Sequence, residues 1–137
     1  MKSTFFKKIS LITFMLIGVI FFMTSCSKDD VNRAGNKALL TAGKWELISA
    51  TRTVDGQAGV TIDAPAIISF TSANHYRVYD DQGSVTHDVP FTFDDKNTIS
   101  FDGITYDLTT INSSNLTLVY THADNVTVDT FNYKRKL

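Results

Sequence analysis

This chain of 137 residues has one cysteine, one tryptophan and, at Glu46, one glutamate. A lone cysteine excludes an internal disulfide, so stability outside a reducing compartment has to come from packing. A lone glutamate means that a paired-carboxylate glycosidase would need two aspartates from different strands. The histidines (His75, His87 and His122) are scattered, with no pair at metal spacing and no second cysteine to complete a zinc site. Asp80-Asp81 and Asp94-Asp95 lack the long acidic loop and distal Glu of a calcium site, and sit where hairpin turns favour Asp. There is no G-x-S-x-G nucleophile elbow and no glycine-rich phosphate loop. The expectation is a protein without catalytic set, metal or cofactor, and not an enzyme. Basic clusters are missing too, which argues against nucleic acid and against electrostatic docking on anionic lipid.

Long hydrophobic runs are equally scarce. The longest, from Ile9 to Met23, follows Lys2, Lys7 and Lys8 and is interrupted by Ser10, Thr13 and Gly18. A membrane-spanning helix needs about 20 apolar residues, and this run is shorter. A charged start, an apolar stretch and small residues after it are the plan of a secretory signal peptide.

The only cysteine follows at once, in Met23-Thr24-Ser25-Cys26. That stretch resembles the lipobox of bacterial lipoproteins, with Met23 where Leu is usual. The resemblance implies cleavage after residue 25, a diacylglyceryl group on the Cys26 sulfur and acylation of its freed amine. Several acyl chains, at about 0.8 kcal/mol per buried methylene, suffice for a stable anchor. In that family an Asp after the cysteine retains the protein in the inner membrane, so Ser27 implies the outer membrane. Ser27-Lys28-Asp29-Asp30 is also similar to the acidic export signal of Bacteroidota-type surface lipoproteins, with a solvated linker as the alternative. The expected divisions are a signal peptide at 1–25, a lipidated cysteine with a flexible tether at 26–38, and one domain at 39–137. Cleavage would remove three of the 13 basic residues and leave the 14 acidic ones, a mature net charge of −4.

Past Asn36, which is placed to cap a single helical turn over Lys37 to Thr41 closed by Gly43, no helical period persists. Alternating apolar positions take over. Trp45, Leu47 and Ser49 share one parity, followed by Ile68 and Phe70, then Tyr76 and Val78. Val85, His87, Val89, Phe91 and Phe93 form a fourth run, interrupted by Pro90, which suits an edge or a bulge. Ile99 and Phe101, then Ile104, Tyr106 and Leu108, then Leu116, Leu118 and Tyr120, and last Phe131 and Tyr133 complete eight runs. Asp102-Gly103 is a type I′ hairpin signal that pairs Phe101 with Ile104 and Ile99 with Tyr106, all on one face.

Eight consecutive antiparallel strands with one apolar face are best satisfied by closure into a small up-and-down barrel, with a two-sheet β-sandwich as the alternative. Gly43-Lys44-Trp45 resembles the G-x-W motif that opens the lipocalin barrel after a short helical turn. The resemblance implies a lipocalin-like fold over about residues 39 to 137, with Gly43, Trp45 and Arg135 forming the barrel floor. Arg135 shares parity with Phe131 and Tyr133 and would stack on Trp45. No T-D-x-Y motif is present, and the domain is shorter than a typical lipocalin.

Two functions remain. A carrier would hold a small hydrophobic ligand in the lumen, among Phe70, Tyr76, His87, Phe91, Phe93, Tyr106 and Tyr120. An interaction or inhibitor module would present its loops to a protein partner from a filled barrel. The number of inward aromatics, each burying about 150–250 Å², points to a small pocket or none. The stretch from Val54 to Pro65 is expected to be a long loop capping the open end. The expected cell address is the outer membrane, held by lipid on Cys26, with display on the cell surface if Ser27-Lys28-Asp29-Asp30 is an export signal and not a linker.

Overall fold

The computed structural model describes residues 28–94 and 97–137. The leader, the Thr24-Ser25-Cys26 signature and Ser27 lie outside them, as do Asp95 and Lys96. The residues from Asn32 onward form one unit. The first element is a helix, α1 (Lys28–Leu40), and not a single turn starting at Lys37. It occupies most of the stretch expected to be a tether. Asn36 therefore lies inside the helix, where its side-chain amide donates to Asn97 Oδ1 at 3.0 Å instead of capping a turn. Lys37 in the last turn complements the negative end of the helix dipole.

Ten strands follow: β1 (Lys44–Val54), β2 (Val60–Thr61), β3 (Ile67–Phe70), β4 (His75–Tyr79), β5 (Val85–Pro90), β6 (Thr92–Phe93), β7 (Thr98–Phe101), β8 (Ile104–Ile111), β9 (Asn115–Thr121) and β10 (Thr127–Arg135). All pair antiparallel in the order β5-β4-β3-β1-β10-β9-β8-β7-β6, with β2 beside β1. One of the eight expected runs is broken into pieces, and one strand, β2, forms where a loop is expected. β2 and β3 are successive parts of the strand alongside β1, parted by Ile62 to Ala66, which include Pro65. β5 and β6 are parted by Phe91 alone, because Pro90 has no N–H with which to continue the ladder.

The hydrogen-bonded path is open, since β5 and β6 are its two ends. The all-β antiparallel architecture is as expected; a continuous ring of ladders is not present. First and last strands are neighbours: β1 pairs with β10 from Trp45↔Arg135 to Val54↔Thr127.

Turn chemistry fixes the hairpins. Asp102 and Gly103 have φ of 53° and 75°, and Phe101↔Ile104 and Ile99↔Tyr106 pair as expected. A second Asp-Gly turn does the same work at the end of β1. Asp55 and Gly56 have φ of 52° and 69°, and Gln57 N donates to Val54 O at 3.0 Å. The stretch from Val54 to Pro65 is therefore not a loop over the open end: it turns back at once, and Val60 and Thr61 pair with Arg52 and Thr51. Asp80 accepts backbone N–H bonds from Gln82 and Ser84, and Asp94 accepts one from Thr98, so the first aspartate of each acidic pair serves a turn.

A bulge in β1 between Leu47 and Ser49 changes which residues face the core. Ile48 is pushed outward, 58 % exposed, and Ala50 takes the inward place expected of Ser49. Ser49 Oγ instead accepts from Asn132 on the outer face. Every later residue of β1 has its parity reversed.

The core is mainly aromatic. Tyr76 stacks on Phe101 at 4.0 Å between centroids, and Phe101 on Tyr106 at 4.7 Å. Phe70 meets Phe91 edge-on at 5.3 Å. Such pairs add about 0.5–1.5 kcal/mol each beyond area burial. At the other end Trp45 is fully buried. Its Nε1 donates to Leu40 O at 3.0 Å, while the Arg135 guanidinium lies 3.7 Å above its ring. Arg135 Nη2 donates to Leu39 O at 2.7 Å and Nε to Ser113 O at 3.3 Å. The stack expected from shared parity is present. Gly43 is not forced by crowding there: a Cβ would meet only the Arg135 side chain, at 3.6–3.7 Å, which is ordinary contact.

Trp45→Ala should therefore cost about 3–5 kcal/mol, as for other buried tryptophans. Arg135→Ala should cost about 1–2 kcal/mol, through lost packing as well as lost hydrogen bonds. In urea melts of the full chain in detergent, the double variant should fall short of the sum by about 0.5 kcal/mol or more. Strict additivity would show that the stack carries no energy.

Candidate functional site

The residues expected to line a lumen mostly fill it instead. Phe70, Tyr76 and Phe91 are buried in the core, while Phe93, Tyr106 and Tyr120 are half-buried against it. Among the described residues, a cavity of about 40 Å³ is lined by Pro65, Ile68, Tyr76, Tyr106, Phe131 and Tyr133, among others. Ligand pockets run to about 300–1,000 Å³. A larger depression, about 280 Å³, lies on the outer wall by Lys44, Ser69 and Tyr79. There the Ser69 and Tyr79 hydroxyls bond each other at 2.9 Å, and Lys44 Nζ lies 3.8 Å over the Tyr79 ring.

His87 is not a lumen histidine. It has the inward parity, opposite Val78, but it lies above the apolar layers and is exposed. Its Nε2 bonds the Asp102 carboxylate at 2.9 Å, which links β5 to the β7–β8 hairpin tip. Each histidine in fact has an aspartate partner from another element: His75 with Asp88, His87 with Asp102, His122 with Asp129.

The last of these belongs to a polar cluster that the sequence did not reveal. Asp129, only 5 % exposed, continues the inward stripe of Phe131 and Tyr133. Cross-strand pairing puts Arg52 on one side of it and Tyr120 on the other. Arg52 grips the carboxylate with both prongs, Nε to Oδ1 at 2.6 Å and Nη2 to Oδ2 at 2.8 Å. His122 Nε2 lies 2.9 Å from Oδ2, and its ring is 4.6 Å from that of Tyr120. A carboxylate only accepts, so Nε2 is the protonated nitrogen. The Arg52 bonds, with help from His122 and against the effect of burial, hold the Asp129 carboxyl below the usual carboxylate range.

This arrangement orients an imidazole but supplies no nucleophile. Among the described residues no hydroxyl or thiol hydrogen-bonds His122, and no group of three or more His, Cys, Asp or Glu is placed to hold a metal ion. Its chemistry is that of a polar plug across the end of the core opposite Trp45. The one available signal was Asp129 itself, an acid on an apolar parity. Arg52 was hidden by the bulge, which reverses its expected side.

The same end carries the exposed hairpin tips. Asp55 N bonds Val126 O at 2.8 Å, which joins the β1–β2 and β9–β10 tips. Val54, Val60, Val85 and Val126 are 44–61 % exposed on these hairpins and on β4–β5. Asp55, Asp81, Asp102 and Asp124 stand among them, exposed. Asp124 is drawn down to about 2 by bonds from the Thr127 hydroxyl and the Thr127 and Val126 amides. Cys26 lies outside the described residues, and among the described residues no helix is long and apolar enough to cross a membrane.

Arg52→Ala should cost about 1–3 kcal/mol, because Asp129 stays buried with its charge-assisted bonds removed. With a folded pKa below the unfolded one, Asp129 contributes stability that is complete above the unfolded value of 3.8. Between the two values the unfolded chain binds more protons, so the contribution falls as pH falls. Thermal melts should therefore show Tm dropping below about pH 4, and Asp129→Asn should flatten part of that drop. An unchanged acid limb in the Asn variant would remove Asp129 from the account.

Comparison with known protein families, with curated proteins and with solved structures finds no match. The chemistry of the chain's own residues therefore carries the functional reading.

Proposed function

We propose that this chain is a lipid-anchored outer-membrane lipoprotein whose filled, lipocalin-like β domain acts by presenting its hairpin tips to a protein partner. The anchor rests on the sequence around Cys26. The eight-stranded barrel rests on the pairing order: each run pairs with the next, β1 with β10, and only Phe91 separates the two ends of the path. Contacts span the seam as well, with Tyr76 on β4 stacked against Phe101 on β7 and His87 bonded to Asp102.

The observation that favours an interaction module over a carrier is the packing of the expected lumen aromatics on one another, with a cavity of about 40 Å³ among them. A small hydrophobic ligand would need most of the aromatic core to move. The hairpin tips offer exposed valines beside aspartates, and so fit a partner that combines apolar and basic groups. Within the domain, the last turn of α1 meets Trp45 at the end opposite the hairpin tips.

A Cys26→Ala variant should lose radioactive fatty-acid labelling and membrane fractionation; retained label would end the lipobox reading. Replacing Lys28, Asp29 and Asp30 with Ala should turn a protease-accessible protein into a protected one on intact cells, whereas unchanged accessibility would reduce the stretch to a linker. The choice between module and carrier is made by titrating the lipidated chain with an environment-sensitive fatty-acid probe. The filled interior predicts no saturable one-to-one binding. Saturable binding that Tyr106→Trp weakens would restore the carrier.

A further inference from the structure

Three phenols converge on the interior cavity. Tyr76 and Tyr133 are 4 % and 3 % exposed, Tyr106 is half-buried, and all three line the same space of about 40 Å³. None of their hydroxyls has a hydrogen-bond partner among the described residues, although other polar side chains of the domain are paired. Nor are these oxygens walled off. The buried side-chain atom that has neither a partner nor access to water-sized space is Arg135 Nη1, at the opposite end. The phenol oxygens of Tyr76 and Tyr133 thus reach space that a water molecule can enter, and both residues line the cavity. They are close enough to act on one another electrostatically, Tyr76 with both Tyr133 and Tyr106.

Buried hydroxyls are rarely left unpaired, because each can donate one hydrogen bond and accept two. We propose that the cavity is a binding site for a neutral hydrogen-bonding occupant, a cluster of water molecules or a small polar solute of the same size, held by Tyr76, Tyr106 and Tyr133. At roughly 10–15 Å³ per water, the space takes about three.

Charge decides against an anion. Asp102 acts electrostatically on Tyr76 and Tyr106, and Asp129 on Tyr106, so the negative charge around these phenols disfavours an anion. The nearby cation, Arg52, is committed to Asp129 through both prongs. Burial pushes all three phenols up from their ordinary value, which keeps them protonated and able to donate. Polarity decides against an apolar guest, which would leave three hydroxyls unpaired. The site is independent of any partner at the hairpin tips, and it is too small for a lipid-sized ligand.

The test uses the full chain in detergent micelles and the nearly isosteric Tyr76→Phe and Tyr133→Phe variants. NMR of the wild type should show cross-peaks from long-lived water to the Tyr76 and Tyr133 rings, lost in the double Phe variant. Each Phe variant should lower Tm by about 4–8 °C, as for loss of one hydrogen-bonding group in a domain this size. Xenon under pressure should leave the Ile68 and Leu118 methyl signals unmoved. Acetamide that shifts the wild-type tyrosine signals, and not those of the double variant, would identify a small solute as the exchangeable occupant. Three outcomes would overturn the proposal: xenon-shifted methyls without water cross-peaks, Phe variants with unchanged or raised Tm, or acetate shifting the tyrosines more than acetamide.

Discussion

The stack of Arg135 on Trp45 is the contact on which the rest of the domain depends. It joins the first and last strands at one level, since Trp45 and Arg135 are direct cross-strand partners. It also fastens the helix, because Trp45 and Arg135 donate to successive carbonyls, Leu40 O and Leu39 O, which a helix end leaves without partners. The two residues do not contribute equally. A cation–π contact is worth about 0.5–2 kcal/mol, and each charge-assisted bond about 1.5–3 kcal/mol. Against these, the buried Nη1 lacks a partner, at a cost of the same order. Burial of the indole is thus the larger stabilising effect, and the arginine mainly sets geometry.

Arginine closes the other end by a different principle. Arg52 faces inward because the Leu47–Ser49 bulge has reversed the parity of β1, and there it meets Asp129. An unpaired carboxylate at 5 % exposure would cost several kcal/mol. The bidentate grip and His122 offset that cost, with little net gain in stability expected. What the cluster secures is register. A slip of β10 against β1 would strand a buried charge, whereas a slip in a purely apolar stripe would only exchange one hydrocarbon contact for another. Between the two ends the aromatic layers do the packing, and the interrupted β5–β6 run lets one strand serve both edges of the sheet.

What could be read in the sequence follows from how local each determinant is. The eight runs, the Asp102-Gly103 register and the approach of Arg135 to Trp45 depend on side-chain alternation and turn conformation, both written in short stretches. The helix back to Lys28 is not legible because its sequence is polar on average and includes the weak helix formers Asn32, Gly35 and Asn36; its last turn is held by Trp45 and Arg135, which come later in the chain. The loop expected at Val54 is a hairpin because Asp55-Gly56 carries the same turn signal as Asp102-Gly103. His87 has the expected parity and lies at a different depth: parity fixes which side a residue faces, and the height of the core along that strand is set by the neighbouring strands. Arg52 and Asp129 were invisible as a pair because they are 77 positions apart and because nothing local to β1 announces its bulge.

The aromatic content that stabilises this domain also limits where it can act. Tyr76, Phe101 and Tyr106 form a continuous stack through the middle of the interior. Opening that space for a lipid-sized guest would separate at least these two stacked pairs, each worth about 0.5–1.5 kcal/mol beyond the area they bury. It would also expose phenol and phenyl surface to water at about 25 cal/mol per Å². A guest of comparable apolar area could at best repay the second cost, and it would bring its own loss of freedom on binding. Rearranging the exposed hairpin tips carries no such penalty, because their valines are already half in water and their turns are held by their own aspartates. The rigid interior fixes where the four tips stand. The recognition proposed for that end then calls for no reorganisation of the core.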